Sequence, residues 1–447
     1  MKIIIAGAGE VGFHLAKLLS FESQDITLID NKKSNLNIAD NQLDIKTIEG
    51  DSASISVLKE ANAQSSDLVV SLTTSETTNF TTCFLAKQLG AKKTIARISN
   101  AEFTNCEIDF KMMGVDELIS PENLASEEIK LLISESAFTN SHDFEGGVLK
   151  MMGVKLEPSA PFVGKSVMDS ASVFPGVHFM PIALKKENTE KTIIPRGDTV
   201  FCSGDQVYFI TDEKGLKELY NLLGTVKQNI QNIMILGAGR IGQKLANDLS
   251  NEGLNIKIIE INSEKANHLA DELSNVMMLN VDGRNVDLLV EENLENMDAF
   301  IATTGNSETN IMSCLMAKSK KIKKTIAIVD NMDYFNLSHS IGIDTLINKK
   351  LLAANDIFRF VRNGDIVELA KLNNMDAEIV EFNVSQNSKV LNKKIVELNF
   401  PREAIIGGVI RNNQGIIALG EFKIMLNDRV LVCSTPEGLK KVESLFL

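Results

Sequence analysis

Short apolar runs and amphipathic stretches alternate along the first 120 residues of the chain. The apolar runs lie at 2–6, 26–30, 45–49, 68–72, 94–98 and 117–119, and stretches of helical period separate them. Strands alternating with helices predict βαβ units and a parallel sheet. The first stretch, "VGFHLAKLLS", puts Val11, Leu15 and Leu18/Leu19 on one helical face. Residues 124–138 read as a linking helix. The pattern then changes: 145–226 shows alternating segments ("GGVLKMMGVKL", "GVHFMPIAL", "DTVFCSGDQVYFIT") that close on a helix, "EKGLKELYNLLG".

The whole arrangement is written twice. "IIIAGAGEVGFHLAKLL" recurs as "IMILGAGRIGQKLANDL", an offset of 230. At offsets of 230 or 231, Asp30 falls on Glu260, Thr73 and Thr74 on Thr303 and Thr304, and Asn79 on Asn310. "GVDELI" (114–119) matches "GIDTLI" (342–347) at offset 228. Self-similarity of this length defines the organisation. The fold class expected is α/β, with two Rossmann-like parallel-sheet domains (1–138 and 229–362), each followed by a small α+β domain (139–228 and 363–447).

Composition narrows the function. A chain of 447 residues exceeds one hydrophobic core, and its 44% apolar content is enough to bury several. The net charge of −13 argues against nucleic acid and anionic lipid surfaces, while leaving a basic protein surface as a partner. No apolar run approaches the ~20 residues of a membrane span. Glu10, His14 and Lys17 interrupt the apolar N-terminus and no cleavage site follows, so a cytosolic protein without direct membrane insertion is expected. The five cysteines are scattered, without metal-ligand spacing, which fits a reducing compartment. Cys83 and Cys314 share a repeat position on an apolar helix face and are expected to be core residues. Cys202 and Cys433 are 231 apart by coincidence, because the flanking segments align Asp205 with Asp428.

The candidate chemistry sits at the strand ends. Gly7-Ala8-Gly9-Glu10-Val11-Gly12 follows a strand and opens a helix, and Gly237-Ala238-Gly239-Arg240-Ile241-Gly242 repeats it. In such a turn the first glycine allows the tight bend, the second admits a pyrophosphate to the backbone, and the third lets helix and strand pack closely. The free N–H groups at the helix start attract phosphate. Asp30 and Glu260, each eighteen residues past the third glycine, can accept from both ribose hydroxyls and would repel a 2′-phosphate, favouring NAD over NADP. Asp51 and Asp282 are candidate adenine-side acceptors. Thr73, Thr74 and Asn79, with Thr303 and Thr304, lie at the carboxyl edge of the sheet, where they can reach ribose or phosphate or cap the following helix. Two arginines are asymmetric: Arg97 stands where the second half has Ile328, and Arg240 where the first has Glu10. Each adds charge near a phosphate, so the two sites are expected to differ in their tolerance of ATP or ADP.

A dehydrogenase also needs a proton relay and an anchor for its substrate. The histidines His14, His142, His178, His268 and His339 do not recur between the halves, and His178 is expected to sit in a β stretch without a nearby acid. An NAD-dependent oxidoreductase and a scaffold with degenerate sites therefore stand as alternatives to a nucleotide-reading regulator.

Several further segments carry a family resemblance: "GDSAS" (50–54), "TTSETTN", "TTGNSETN", "IARISN", "ISPENLAS" (119–126), "IIPRGDTVFCSGDQVYFIT" and "NDIFRFVRNGDIVELAKL" (355–372). With the two glycine turns, they make the chain resemble, over essentially its whole length, the regulatory NAD-binding proteins of bacterial Trk-type potassium-uptake systems. These are built from two tandem regulator-of-potassium-conductance (RCK) domains. The resemblance implies a non-enzyme that binds NAD(H), and ATP or ADP, as effectors. It implies a homo-oligomer, a tetramer, docked on the cytoplasmic side of a membrane potassium translocator. The acidic charge fits the basic cytoplasmic loops of such a partner. The sequence departs from the family pattern at Val281, where a glycine is expected, and at Ile328, where an arginine is.

Overall fold

A computed structural model of the chain describes residues 1–20, 24–100, 103, 106, 108–135, 138–171, 178–187, 189, 191–224, 229–331, 334, 342–361, 366–372 and 375–446. His339, residues 362–365 of the "NDIFRFVRNGDIVELAKL" motif, and the boundaries placed at 228 and 362 lie outside the described residues. The described chain forms two compact units: Met1–Glu127 with Asn232–Arg362, and Glu128–Gln231 with Asn363–Leu447.

The first unit holds two parallel sheets. One comprises β1 (Lys2–Ala6), β2 (Asp25–Asp30), β3 (Lys46–Glu49), β4 (Leu68–Ser71), β5 (Lys93–Arg97) and β6 (Glu117–Ile119), in the order β3-β2-β1-β4-β5-β6. The six apolar runs seen in the sequence are these six strands to within a residue or two at each end. They read as continuous apolar runs because helices cover both faces; Ile3, Ile4, Ile5 and Ala6 are all buried. The strand order reverses beside β1, which makes the carboxyl ends of β1 and β4 the crevice where open α/β sheets take their ligands. The helix Glu10–Ser20 buries Val11, Gly12, Leu15, Ala16 and Leu19. The helix Glu76–Leu89 is capped by Ser75, which accepts from the Thr78 N–H, and stops at Gly90 with φ +119. It buries Asn79, Thr82, Cys83 and Ala86, and the Cys83 thiol donates to the Ile95 carbonyl at 3.3 Å. Cys314 does the same to Ile326. Burial pushes the Cys83 thiol up to about 12 and raises that of Cys314 as well, so both are inert core residues, as their shared position implied.

The second sheet repeats the first with β12 (Asn232–Leu236), β13 (Asn255–Ile259), β14 (Val276–Leu279), β15 (Ala299–Ala302), β16 (Lys324–Ile328) and β17 (Thr345–Ile347), ordered β14-β13-β12-β15-β16-β17. The helix that follows it, Lys349–Val361, packs against the helix Glu10–Ser20 of the first half. The linking helix expected over 124–138 spans Pro121–Ser134 instead. Ser120 accepts from the Asn123 N–H at its start, and proline is well placed in a first helical turn.

The second unit holds two antiparallel sheets. One has the order β10-β9-β11-β8-β7, from β7 (Asn140–Phe144), β8 (Leu149–Lys155), β9 (Phe179–Lys185), β10 (Thr192–Ile193) and β11 (Gln206–Thr211). The other has the order β18-β19-β22-β20-β21, from β18 (Ile366–Lys371), β19 (Glu378–Asn383), β20 (Ala404–Arg411), β21 (Gln414–Ile416) and β22 (Arg429–Ser434). β7 escaped the sequence reading because "NSHDF" is a polar edge strand. The two sheets share one core, in which Phe144, Leu149, Ile182 and Ile210 meet Ile379, Ile410 and Leu431. Gly407 permits the approach: a Cβ there would lie 2.8 Å from Ile210 Cγ1 and 2.9 Å from Ile182 Cγ2. Arg196 Nη2 adds donors to the carbonyls of Arg402 and Ala404 at 2.9 and 3.1 Å. Asp205 and Asp428 are equivalent: each is 1% exposed and accepts from the N–H three residues before it, Cys202 and Met425. Cys202 thus corresponds to Met425 and not to Cys433, which lies within β22.

Candidate functional site

The two glycine turns have one geometry. Gly7 has φ +102 and Gly237 φ +99, a conformation that side-chain-bearing residues rarely adopt. Their N–H groups donate to the Ile29 and Ile259 carbonyls at 2.7 and 2.9 Å, tying each turn to the neighbouring strand. A Cβ on Gly12 would stand 1.8 Å from the Gly7 oxygen, and one on Gly242 2.0 Å from the Gly237 oxygen. The third glycine is therefore a packing requirement. Gly9 differs: a Cβ there meets nothing within 4 Å, and at Gly239 the nearest atom is 3.9 Å away. Among the described residues nothing demands glycine at either middle position, so the open space in front of it is room for something else. Ala8, Val11, Ala238 and Ile241 are buried beneath the turns, while Glu10 and Arg240 point outward.

Asp30 joins this turn to the next. Its Oδ2 accepts from the Ala8 N–H at 2.7 Å and its Oδ1 from the Lys32 N–H at 2.8 Å. The Asn35 amide also donates to Oδ1, at 3.3 Å, so of a carboxylate's roughly four lone-pair sites about one is left for a hydroxyl donor. Glu260 replaces it with a longer side chain that accepts from the Asn262 N–H at 3.0 Å and pairs with Lys265 at 3.2 Å. Burial alone would raise its pKa, but the Asn262 N–H, the Lys265 ammonium and the Ala238 N–H hold it below the usual glutamate range.

The third-strand acids diverge. Among the described residues Asp51 Oδ1 accepts only the Ala53 N–H, at 2.9 Å, in its own turn. Asp282 is clamped by the Arg284 guanidinium at 2.8 Å, and these bonds hold its carboxyl down to about 2. The shifted glycine has its own reason, since a Cβ on Gly283 would fall 2.1 Å from Leu236 Cδ1.

At the fourth strand the structure corrects the sequence register by one residue. Asn79 Oδ1 accepts from the Thr73 N–H and hydroxyl at 2.9 and 2.6 Å; Asn310 Oδ1 accepts from the Thr304 N–H and hydroxyl at 3.0 and 2.6 Å. Thr73 therefore corresponds to Thr304, Thr74 to Gly305, and Thr303 to Leu72. The repeat offset has stepped from 230 to 231 before this point. Thr303 is 7% exposed and donates to the Leu236 and Gly237 carbonyls at 3.2 and 2.9 Å, so it braces the glycine turn. Asn79 is fully buried, and its Nδ2 donates to the carbonyls of Thr73 and Arg97. Its capacity is spent beneath the loop. It neither caps the helix, which Ser75 does, nor faces the crevice.

Arg97 reaches to within 3.8 Å of Glu122, while Ile328 at the equivalent position is buried. Among the described residues Arg240 makes no ion pair, whereas Glu10 is paired with Lys350 from the helix Lys349–Val361. That contact brings the second half of the repeat to the glycine turn of the first. The sequence reading missed it, although a signal exists: offset 230 pairs Glu10 with Arg240, offset 228 pairs Glu122 with Lys350, and both positions reverse charge.

The comparisons bear on this architecture directly. The TrkA-N domain model matches residues 3–121 and 233–349, and the TrkA-C domain model matches 151–224 and 379–447. Trk system potassium uptake protein TrkA homolog 2 of Methanosarcina mazei is 32% identical over the whole length of both chains. The chain belongs to the TrkA family. Trk system potassium uptake proteins TrkA of Halomonas elongata and Haemophilus influenzae are each 31% identical, over all of this chain and 98% of their own. Among solved structures, the GsuK RCK domain has a TM-score of 0.62 at 15% identity, covering 99% of this chain and 94% of its own. The GsuK channel bound to NAD also scores 0.62 at 15% identity, covering 99% of this chain and 78% of its own. At that identity the likeness establishes the fold.

One further pair in this TrkA-family chain corrects the sequence reading. His178 does have an acid beside it: Asp212, thirty-four residues away, lies 2.9 Å from His178 Nδ1. Asp212 is the N-cap of the helix Glu213–Leu223, accepting from Gly215, so the pair ties the start of β9 to a helix end. It lies in the second unit, whereas the glycine turns lie in the first. Among the described residues no cluster of His, Cys, Asp and Glu could hold a metal ion, and no helix is long and apolar enough to cross a membrane.

Proposed function

We propose that the chain is a nucleotide-reading regulatory subunit of a Trk-type potassium-uptake system. It binds NAD(H), and ATP or ADP, at its two glycine turns and passes the occupied state to a membrane potassium translocator. The observation that carries this reading is the first turn. Gly7 and Gly12 are required by the fold itself, Gly9 is not, and Asp30 already holds the Ala8 N–H at the edge of the open space. Family membership and the duplicated fold support it. The relatives are named as potassium uptake proteins, and the GsuK structures include one bound to NAD and one bound to ADP.

In this reading Gly7–Gly12 and Gly237–Gly242 receive the phosphates through backbone N–H groups, and Asp30 and Glu260 select an unphosphorylated ribose. Asp51, Thr73 and Thr74 lie on the first rim, Asp282 and Thr304 on the second. The first site is the more complete of the two, because Asp282 is taken by Arg284 and Ile328 stands where the first half has Arg97. The subunit acts as a homo-oligomer, a tetramer, on the cytoplasmic face of the membrane. Nucleotide biases the gate only by binding two states of that assembly with different affinity. Thermal-shift titration with NAD+, NADH, NADPH, ATP and ADP tests the reading. NADPH is expected to be the poor ligand; NADPH binding as tightly as NADH would overturn the roles of Asp30 and Glu260.

A further inference from the structure

We infer that Lys350 serves the first nucleotide site from the second half of the chain: it reads a terminal phosphate on a nucleotide held at Gly7–Gly12, and Glu10 is the internal occupant that this phosphate displaces. The inference rests on the nucleotide-binding reading above and adds to it a residue that distinguishes nucleoside di- and triphosphates from dinucleotides.

Glu10 opens the helix Glu10–Ser20, directly after Gly9, where the N–H groups of the helix start are unpaired within the helix. A carboxylate there occupies the electrostatic place of a phosphate. Lys350 reaches that carboxylate from the helix Lys349–Val361, which lies against Glu10–Ser20. The two partners are unequally fixed. Glu10 is 71% exposed and free to swing away, whereas the Lys350 side chain is 22% exposed. Its backbone is also set, because Asn348 Oδ1 accepts from the N–H groups of Lys350 and Leu351, each at 3.0 Å. Lys349 is occupied separately by Asp330 at 3.1 Å. Lys350 is thus the enclosed partner, its Nζ also 3.5 Å from the Asp330 carbonyl, and Glu10 is the exposed one.

Charge then decides which ligand can compete. The pyrophosphate of a dinucleotide is esterified at both ends and carries one charge on each phosphate. The last phosphate of ADP or ATP is a monoester-like group with three free oxygens and about −1.5 to −2 charge. Lysine is a compact point charge suited to such a group. Only a terminal phosphate therefore outbids a glutamate for Lys350. The second half has the opposite arrangement, with Arg240 in place of Glu10 and Glu122 in place of Lys350, so the lysine is particular to the first site.

Calorimetric titration of ADP and NAD+ into the full-length chain tests this, using Lys350→Gln, Lys350→Arg and Glu10→Gln. Lys350→Gln is expected to weaken ADP at the first site about tenfold while moving NAD+ less than about twofold, and Lys350→Arg to retain ADP. Glu10→Gln, on an exposed side chain, is expected to tighten ADP several-fold, an opposite sign that no folding defect produces. The assignment is overturned if ADP is unchanged in Lys350→Gln, if ADP and NAD+ weaken equally, or if Glu10→Gln weakens ADP. A wild-type chain that binds neither ligand overturns the nucleotide reading and this inference together. A wild type that binds both, with ADP unaltered in Lys350→Gln, overturns only the role of Lys350.

Discussion

Replacing Gly9 and Gly12 one at a time by alanine separates ligand space from packing space. A Cβ on Gly12 starts 1.8 Å from the Gly7 oxygen, and ordinary contact begins near 3.4 Å, so helix and turn must part by about 1.6 Å (3.4 − 1.8). Both contacting atoms belong to backbone, so neither can rotate away. Overpacking of this kind costs about 1–3 kcal/mol, and a backbone clash belongs at the upper end. At Gly9 the added Cβ meets nothing within 4 Å, and φ is not positive. Alanine is a poorer helix cap than glycine by up to ~1 kcal/mol, but it stiffens the unfolded chain by ~0.4–1 kcal/mol, so the two terms nearly cancel. The new methyl instead stands where a phosphate would meet the backbone. Loss of one charge-assisted bond of ~1.5–3 kcal/mol weakens binding about ten- to a hundredfold. Urea unfolding and calorimetric titration of NADH read the two effects separately. Gly12→Ala should lower the unfolding midpoint, whereas Gly9→Ala should leave it within about 0.5 kcal/mol and lose affinity. The reasoning is refuted if Gly9→Ala binds NADH like wild type, or if Gly12→Ala is as stable as wild type.

Three further outcomes are expected. Asp30→Asn keeps an acceptor for the Ala8 N–H but removes the charge, and should narrow the preference for NADH over NADPH by about tenfold in competition titrations. Asn79→Ala strips five hydrogen bonds from a fully buried site, leaves the Thr73 N–H and Arg97 carbonyl unsatisfied, and should destabilise the chain by ~2–4 kcal/mol in denaturant unfolding. Glu128 is partly buried, and that burial pushes its carboxyl up to about 7, with His142 opposing and Asp143 reinforcing the shift. The folded state therefore holds a proton that the unfolded state releases near pH 4.5, so stability falls as pH rises from about 4.5 to 7. Glu128→Gln should melt higher than wild type at pH 8, by up to ~3 kcal/mol, and like wild type at pH 4.

Much of this was legible in the sequence because parallel strands buried on both faces write themselves as unbroken apolar runs. The glycines were legible because their backbone demands are local. The one-residue slip at Thr73 and Thr303 arose because threonine occurs twice in each half. Register was decided only when Asn79 and Asn310 showed which threonine each one holds. β7 was hidden by its polar edge composition, and the His178–Asp212 pair by the thirty-four-position separation of its members. Lys350 was hardest of all: its meaning depends on a helix from one repeat lying on the turn of the other, and its only trace in the sequence is the paired charge reversal at Glu10/Arg240 and Glu122/Lys350.

Under the proposed function, nucleotide at these turns acts as a signal and not as a reagent. Potassium flux measured across vesicles holding a Trk-type membrane subunit, with this chain bound and NADH or ADP supplied, tests it most directly. The expected flux changes with the nucleotide, loses that dependence in Gly9→Ala, and leaves the nucleotide chemically unchanged. A flux indifferent to nucleotide, or NADH consumed in the assay, would contradict it.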